Sequence, residues 1–205
     1  MRTGQLIVIS GPSGAGKGTV CKQLLREIEN LKISVSATTR DPREGEVNGI
    51  NYHFTEKEVF LKGIEEDKFL EHAKVYDNYY GTPKKYVMKE IENGNNVLLE
   101  IDIQGALQVK EKYPEGVFIF ILPPSMQELK NRIVGRGTET AEAIEKRFKS
   151  AYEEIKYVEK YDYCVVNDKV ELAVERIKAI ITAETCKVKH DIEEIISKFR
   201  EESIC

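Results

Sequence analysis

No stretch of this 205-residue chain approaches the roughly 18 consecutive apolar residues of a membrane span. The N-terminus, with Arg2 followed by an apolar strand, lacks the layout of a signal peptide. Both absences point to a cytoplasmic protein with no membrane partner. Cysteine is sparse: Cys21, Cys164, Cys186 and Cys205 stand far apart without a CxxC pair, which fits reduced thiols better than a disulfide framework or a zinc site. Excess positive charge is also missing. A net charge of −4 offers no general nucleic-acid surface, so any anion site must be built locally. There are no internal repeats or low-complexity tracts, and the length requires no second complete domain.

What is present describes a globular α/β domain, with 41% hydrophobic and 32% charged residues and enough chain to bury a substantial core. Apolar runs at Leu6 to Ile9, Val97 to Ile101, Val117 to Leu122 and Tyr163 to Val166, with a weaker one at Ile33 to Val35, read as strands. Helical patterns fall near 17–30, 104–112, 125–134, 140–160 and 170–185, the last with Ala173, Ile177, Ile180 and Ile181 as a core stripe. Strands alternating with helices predict a three-layer fold with a central parallel sheet covered on both faces. Residues 36–87 break that rhythm: they are polar and tyrosine-rich, with Tyr52, Tyr76, Tyr79, Tyr80 and Tyr86, and read as an inserted substrate lobe. Residues 135–150 open on Gly135-Arg136-Gly137, as a hinged, charged lid would. The core is then expected at 1–35, 88–134 and 151–187. A last helix near 188–201 carries Ile192, Ile195, Ile196 and Phe199 on one face, for the core or for a partner.

Between the first strand and the first helix lies the run Gly11-Pro12-Ser13-Gly14-Ala15-Gly16-Lys17-Gly18-Thr19. Strand, glycine loop and helix start come in the order of a phosphate-binding loop, whose bare N–H groups cradle phosphates while Lys17 reaches the β- and γ-phosphates of a nucleotide. One position departs from the common form: Gly18 stands where a Ser or Thr hydroxyl usually meets Mg²⁺, and Thr19 comes one later. Direct ligation by the loop is therefore not assigned, and magnesium is expected to be held through water near Thr19 and Asp102.

A second anion site is suggested by Arg40 and Arg43, three apart after a short strand, with Tyr52 following. Two guanidinium forks and a phenol can clamp a phosphate dianion by charge-assisted bonds. Glu100 and Asp102 end an apolar run two residues apart, which predicts that both face one side at the carboxyl end of a strand, where open α/β sheets place ligands. Arg132 and Arg136 share a helical face, and Arg147 sits on the next helix.

The ordered series GPSGAGKGT, SATTRDPREGEVNGINYHF, FLEHAKVYDNYYGTP, LLEIDIQGA, the PPS turn at 123–125, GRGTET and VVND at 165–168 resembles guanylate kinase from Gln5 to about Ala183. The resemblance implies transfer of the ATP γ-phosphoryl group to GMP, giving ADP and GDP, with Mg²⁺. It implies that Arg40, Arg43, Tyr52 and Tyr80 hold the GMP phosphate, and that Ser36, Glu71, Thr82 and Asp102 read or border guanine; Glu100, two residues before Asp102, is placed with the GMP-binding residues by that spacing. The resemblance sets Arg132, Arg136 and Arg147 in or near the lid over the triphosphate, and Asn167 on the adenine side. The chemistry agrees: an ionised Glu71 can accept from guanine N1–H and N2–H₂, whereas adenine would oppose it with an unprotonated N1. Rival readings are another nucleoside monophosphate kinase, since the Lys-Gly-Thr ending also resembles adenylate kinase, and a non-catalytic guanylate-kinase-like module that binds peptides. The sequence leaves the oligomeric state open.

Overall fold

In the computed structural model, residues 4–75, 77–134, 141–188 and 192–202 are described. Five short, almost wholly apolar strands form a parallel sheet: β1 (Leu6–Ser10), β2 (Leu31–Ile33), β7 (Asn96–Glu100), β8 (Val117–Leu122) and β9 (Tyr163–Val166), in the order β2-β7-β1-β8-β9. Every residue of β1 is buried, as the central strand of a sheet covered on both faces requires. Alternation along β1 sorts its side chains between two cores. Ile7 and Ile9 pack with Val20, Cys21 and Leu24 of α1 (Lys17–Glu27) and with Ala173, Val174 and Ile177 of α7 (Val170–Glu184). Leu6 and Val8 pack on the other face with Val87 of α3 (Lys84–Glu92) and Ala106 and Val109 of α4 (Ile103–Lys112). This is the expected three-layer α/β arrangement. Because β1 lies between β7 and β8, the connections leaving the sheet diverge at its carboxyl end and open a crevice there.

A second sheet of four strands, ordered β4-β3-β6-β5, is built from β3 (Ala37–Thr38), β4 (His53–Phe54), β5 (Phe69–Val75) and β6 (Asn78–Pro83). Its small core is aromatic: Phe60 of α2 (Lys57–Glu65) stacks on Phe69 with ring centroids 4.4 Å apart. The Gln108 side chain of α4 ties this sheet to the main layer, accepting from the His72 N–H at 3.2 Å and donating to the His72 carbonyl at 3.0 Å.

Several expected boundaries move. β2 occupies Leu31–Ile33, two residues ahead of the run expected at Ile33 to Val35. α1 ends at Glu27, where Ile28 turns to extended backbone (φ −116°) and donates to Leu24 O. α3 crosses the 87/88 boundary expected between lobe and core. α5 spans Met126–Val134, and α6 spans Ala141–Ile155 before a 3₁₀ turn at Lys156–Lys160 takes the place of the α-helix expected to continue to 160. Tyr76, Cys205 and residues 135–140, including Arg136, lie outside the described residues, as do the Arg147 and Ile195 side chains. On α8 (Ile192–Glu202), Ile192, Ile196 and Phe199 are exposed. Among the described residues, no helix is long and apolar enough to cross a membrane.

Candidate active site

The loop between β1 and α1 forms the first half of the site. Gly16 starts α1 at φ 90° with no side-chain cap, so the first-turn N–H groups have no capping oxygen and are ready for an anion. Only glycine fits there, since the left-handed backbone strains other residues and a Cβ would come 2.4 Å from Asn167 Nδ2. Lys17 folds back over the loop, donating to the Gly11 carbonyl at 2.6 Å and the Pro12 carbonyl at 3.2 Å. Burial lowers its pKa, and the nearby carboxylates of Glu100 and Glu154 oppose that shift. Ser13, Gly14, Gly16, Lys17, Gly18, Thr19 and Glu100 line a cavity of about 280 Å³.

Glu100, the last residue of β7 and expected on the GMP side from its spacing to Asp102, borders the phosphate-loop cavity. A Cβ on Gly18 would stand 3.3 Å from Glu100 Oε1, so that carboxylate lies directly beside the first turn of α1. The Ser13 N–H donates to Glu154 Oε2 of α6 at 3.3 Å. Asn167 and Arg132 support the loop from behind. The Asn167 amide donates to Ala15 O at 2.8 Å. Arg132 donates to Asn167 O at 3.1 Å, to Ala15 O at 3.5 Å and to Glu128 at 2.8 Å. In this geometry both residues brace the loop backbone, 152 positions apart in the case of Asn167 and Ala15.

The second half lies on the small sheet. The Arg40 guanidinium passes over the rings of Tyr52 and Phe54, 5.6 and 5.8 Å from their centroids. Tyr52 meets Tyr80 edge to face at 5.9 Å, and Tyr80 in turn interacts with Arg40. Arg40 Nη2 donates to both carboxylate oxygens of Glu46 at 2.9 Å, a partner not singled out from the sequence. Arg43 lies exposed in the adjoining turn, its N–H donating to Glu46 Oε2 at 2.7 Å.

A buried carboxylate closes this half. Glu71 of β5 is 5% exposed and accepts from the Thr82 hydroxyl of β6 at 2.7 Å. Burial pushes its pKa up to about 7; the Thr82 bond pulls it down and neighbouring Asp102 adds to the rise. The β3–β6 register, Ala37 opposite Gly81 and Thr38 opposite Tyr80, continues to set Ser36 level with Thr82. Alternation puts Tyr80 and Thr82 on one face of β6. Asp102 lies beyond β7 as the N-cap of α4, accepting from the Gly105 N–H at 2.8 Å. That corrects the expectation that Glu100 and Asp102 share a strand: β7 ends at Glu100, and Asp102 satisfies an orphan helix donor. A Cβ on Gly105 would stand 2.7 Å from Glu71 Oε2, so the carboxylate nests against bare helix backbone.

The residues of the phosphate loop, the Arg40 turn and the Glu71–Thr82 pair all fall within the span of one family model. The family described as guanylate kinase matches residues 3–184. The chain belongs to the guanylate kinase family. It is 65% identical to a guanylate kinase of Caldanaerobacter subterraneus subsp. tengcongensis over 99% of this chain and 98% of that one. It is 66% identical to one from Clostridium tetani over 92% and 90%. The crystal structure of guanylate kinase from Anaplasma phagocytophilum superposes with a TM-score of 0.79 at 37% identity, covering 97% of this chain and 96% of that one. In this guanylate kinase family member, Arg40 and the phosphate loop are each held by further side chains, Glu46 for the one and Asn167 with Arg132 for the other. Glu46 follows Gly45 in a turn, a pattern readable in the sequence, whereas the Asn167–Arg132 brace depends on tertiary contacts alone.

Proposed function

We infer that this chain transfers the γ-phosphoryl group of ATP to GMP, giving ADP and GDP, as a cytoplasmic enzyme of purine nucleotide metabolism. The observation that carries the reading is the Glu71–Thr82 pair, a buried carboxylate with its hydroxyl partner, on the same small sheet as the Arg40 clamp. The α1 N-terminus and Lys17 take the ATP phosphates. Arg40, Arg43, Tyr52 and Tyr80 take the monophosphate, while Glu71, Thr82, Ser36 and Asp102 surround guanine. Arg132 and Asn167 hold the loop in shape; Arg136 and Arg147 are assigned to the ATP side on the family resemblance.

Chemically the protein has to position and neutralise. A phosphate oxygen of GMP is already a nucleophile at neutral pH, so no general base is required, and the contribution of the chain is alignment plus charge stabilisation. Water is the competing acceptor, so the site has to shed it as the two nucleotides bind. Bound together with ATP, Mg²⁺ would supply positive charge against the phosphate groups. The oxygens that fit a hard cation which keeps most of its waters are those of Thr19 and Glu100, which line the cavity together. Asp102 contributes less to such a site, because Oδ1 is already engaged by the Gly105 N–H.

The Glu71 assignment has a pH signature. With a pKa of about 7 in the empty protein, Glu71 must lose its proton before it can accept from guanine. Guanine binding is therefore expected to weaken as pH falls below about 7, approaching tenfold per pH unit. The same raised pKa means that this group's contribution to folding stability declines as pH rises from about 4.5 to about 7. Guanosine is the cleaner probe, because the second ionisation of GMP's own phosphate falls near pH 6. Calorimetry in buffers of different ionisation enthalpy should show proton release on binding near pH 6.5. Glu71→Gln should abolish that release and weaken GMP more than ATP. Guanosine affinity that is flat between pH 5.5 and 8.5, or equal loss for both nucleotides, would remove Glu71 from the guanine site.

A further inference from the structure

We propose that Glu46 is a positioning residue of the monophosphate clamp: from a turn that locks its own carboxylate, it fixes the Arg40 guanidinium so that the remaining donors of that fork meet the phosphate. The proposal rests on the GMP reading of the small sheet.

The turn is reciprocal. The Glu46 N–H donates to Arg43 O at 3.0 Å, and the Arg43 N–H donates back to Glu46 Oε2 at 2.7 Å. The carboxylate is thus held by the backbone of its own loop before Arg40 is considered, and those bonds, first that from Arg43, keep its pKa below the usual carboxylate range. From this fixed point both oxygens accept from Arg40 Nη2 at 2.9 Å, while Nη1 donates to Asp41 O at 2.5 Å. Both terminal nitrogens of the fork are thereby oriented by the protein, and Tyr80 bonds the side chain as well, so the guanidinium, which has five N–H donors in all, presents its remaining ones in a fixed direction. The Arg40 and Glu46 side chains are only 15% and 19% exposed. The Tyr52 and Phe54 rings support the guanidinium as well.

Two consequences follow from this geometry. An unbraced arginine would have to surrender side-chain freedom each time it grips a phosphate, whereas the Glu46 bonds settle that orientation in the empty protein. The Glu46 carboxylate is also attracted by both Arg40 and Arg43, and its single charge does not match that of a phosphate dianion. A carboxylate bound to Arg40 alone would behave as a competitor that leaves when phosphate arrives. Glu46 is also bonded to the Arg43 backbone, which favours its staying.

The test compares wild-type protein with Glu46→Ala and Glu46→Gln by calorimetric titration of GMP and of guanosine, with steady-state kinetics for ATP and thermal melting as a check of folding. Glu46→Ala should weaken GMP about 10- to 100-fold, the range expected for losing hydrogen bonds to a charged group. Guanosine affinity and the KM for ATP should stay within about twofold of wild type. Glu46→Gln, whose amide oxygen still accepts from Arg40 and Arg43, should lose less. In an Arg40→Ala background, adding Glu46→Ala should cost clearly less than it does in the wild type, because the group to be positioned is gone. Tighter GMP binding would overturn the proposal in favour of a competitor, and unchanged GMP affinity, or equal loss for GMP and guanosine, would overturn it outright. A wild-type protein that binds GMP no better than guanosine would instead bring down the phosphate-clamp reading beneath it.

Discussion

Lys17→Ala is expected to lower turnover by about 10³-fold or more, with GMP affinity unchanged. Lys17 is the cation of the loop cavity, its ammonium now 2.6 Å from the Gly11 carbonyl and already destabilised by burial. Arrival of the triphosphate replaces carbonyl dipoles by full negative charges, so the ammonium gains most where charge shifts towards the β–γ bridge. An interaction of that kind lowers the barrier more than it tightens ground-state binding. The loss should therefore appear mainly in kcat, with a smaller rise in the KM for ATP. Single-turnover kinetics at saturating ATP and GMP provide the check. Because removing Lys17 also removes its bonds to Gly11 and Pro12, Lys17→Met serves as a second variant that keeps the bulk. Near-normal turnover in either variant would show that the loop does not act on a transferring phosphate.

Arg40→Ala should reduce kcat/KM for GMP by a comparable factor, about 10³-fold, with ATP binding intact. The reason is twofold. The variant loses a bidentate-capable fork directed at the monophosphate, and it strands Glu46, whose largely shielded carboxylate would then face the incoming dianion uncompensated. Breaking a shielded ion pair by removing one partner costs more than the pair is worth as a whole. Arg40→Lys should recover only part of the loss, since an ammonium keeps the charge but not the planar fork. The kinetic measurement is kcat/KM for GMP at saturating ATP. A loss below about threefold would remove Arg40 from the clamp.

The central sheet and the phosphate loop were legible because their causes are local. A continuous apolar run, glycines at fixed spacing and a helical stripe each encode one element, and β1, β8, β9, α1 and α7 formed close to where these patterns lie. The small sheet was not legible as a sheet. Two of its strands, β3 and β4, contain two residues each, too short for alternation to register, and its core is a handful of aromatics around Phe60 and Phe69. The place of Asp102 beyond the strand was legible: an aspartate three residues before Gly105 at the start of a helical pattern is an N-cap signal, which competes with the apolar run that ends at Ile101. Glu100 was seen as a site residue, yet which half it serves depends on how β7 lies beside β1, information that no local pattern contains.

The decisive measurement is a coupled assay of ADP formation with ATP and, in turn, GMP, AMP, CMP and UMP as acceptor. The Glu71–Thr82 pair predicts a kcat/KM for GMP at least about 10⁴-fold above that for AMP, as sites that pair buried polar groups with one base achieve, with CMP and UMP lower still. Comparable rates with AMP and GMP would contradict the guanine site, and no acceptor-dependent ADP formation at all would contradict the two-nucleotide active site itself.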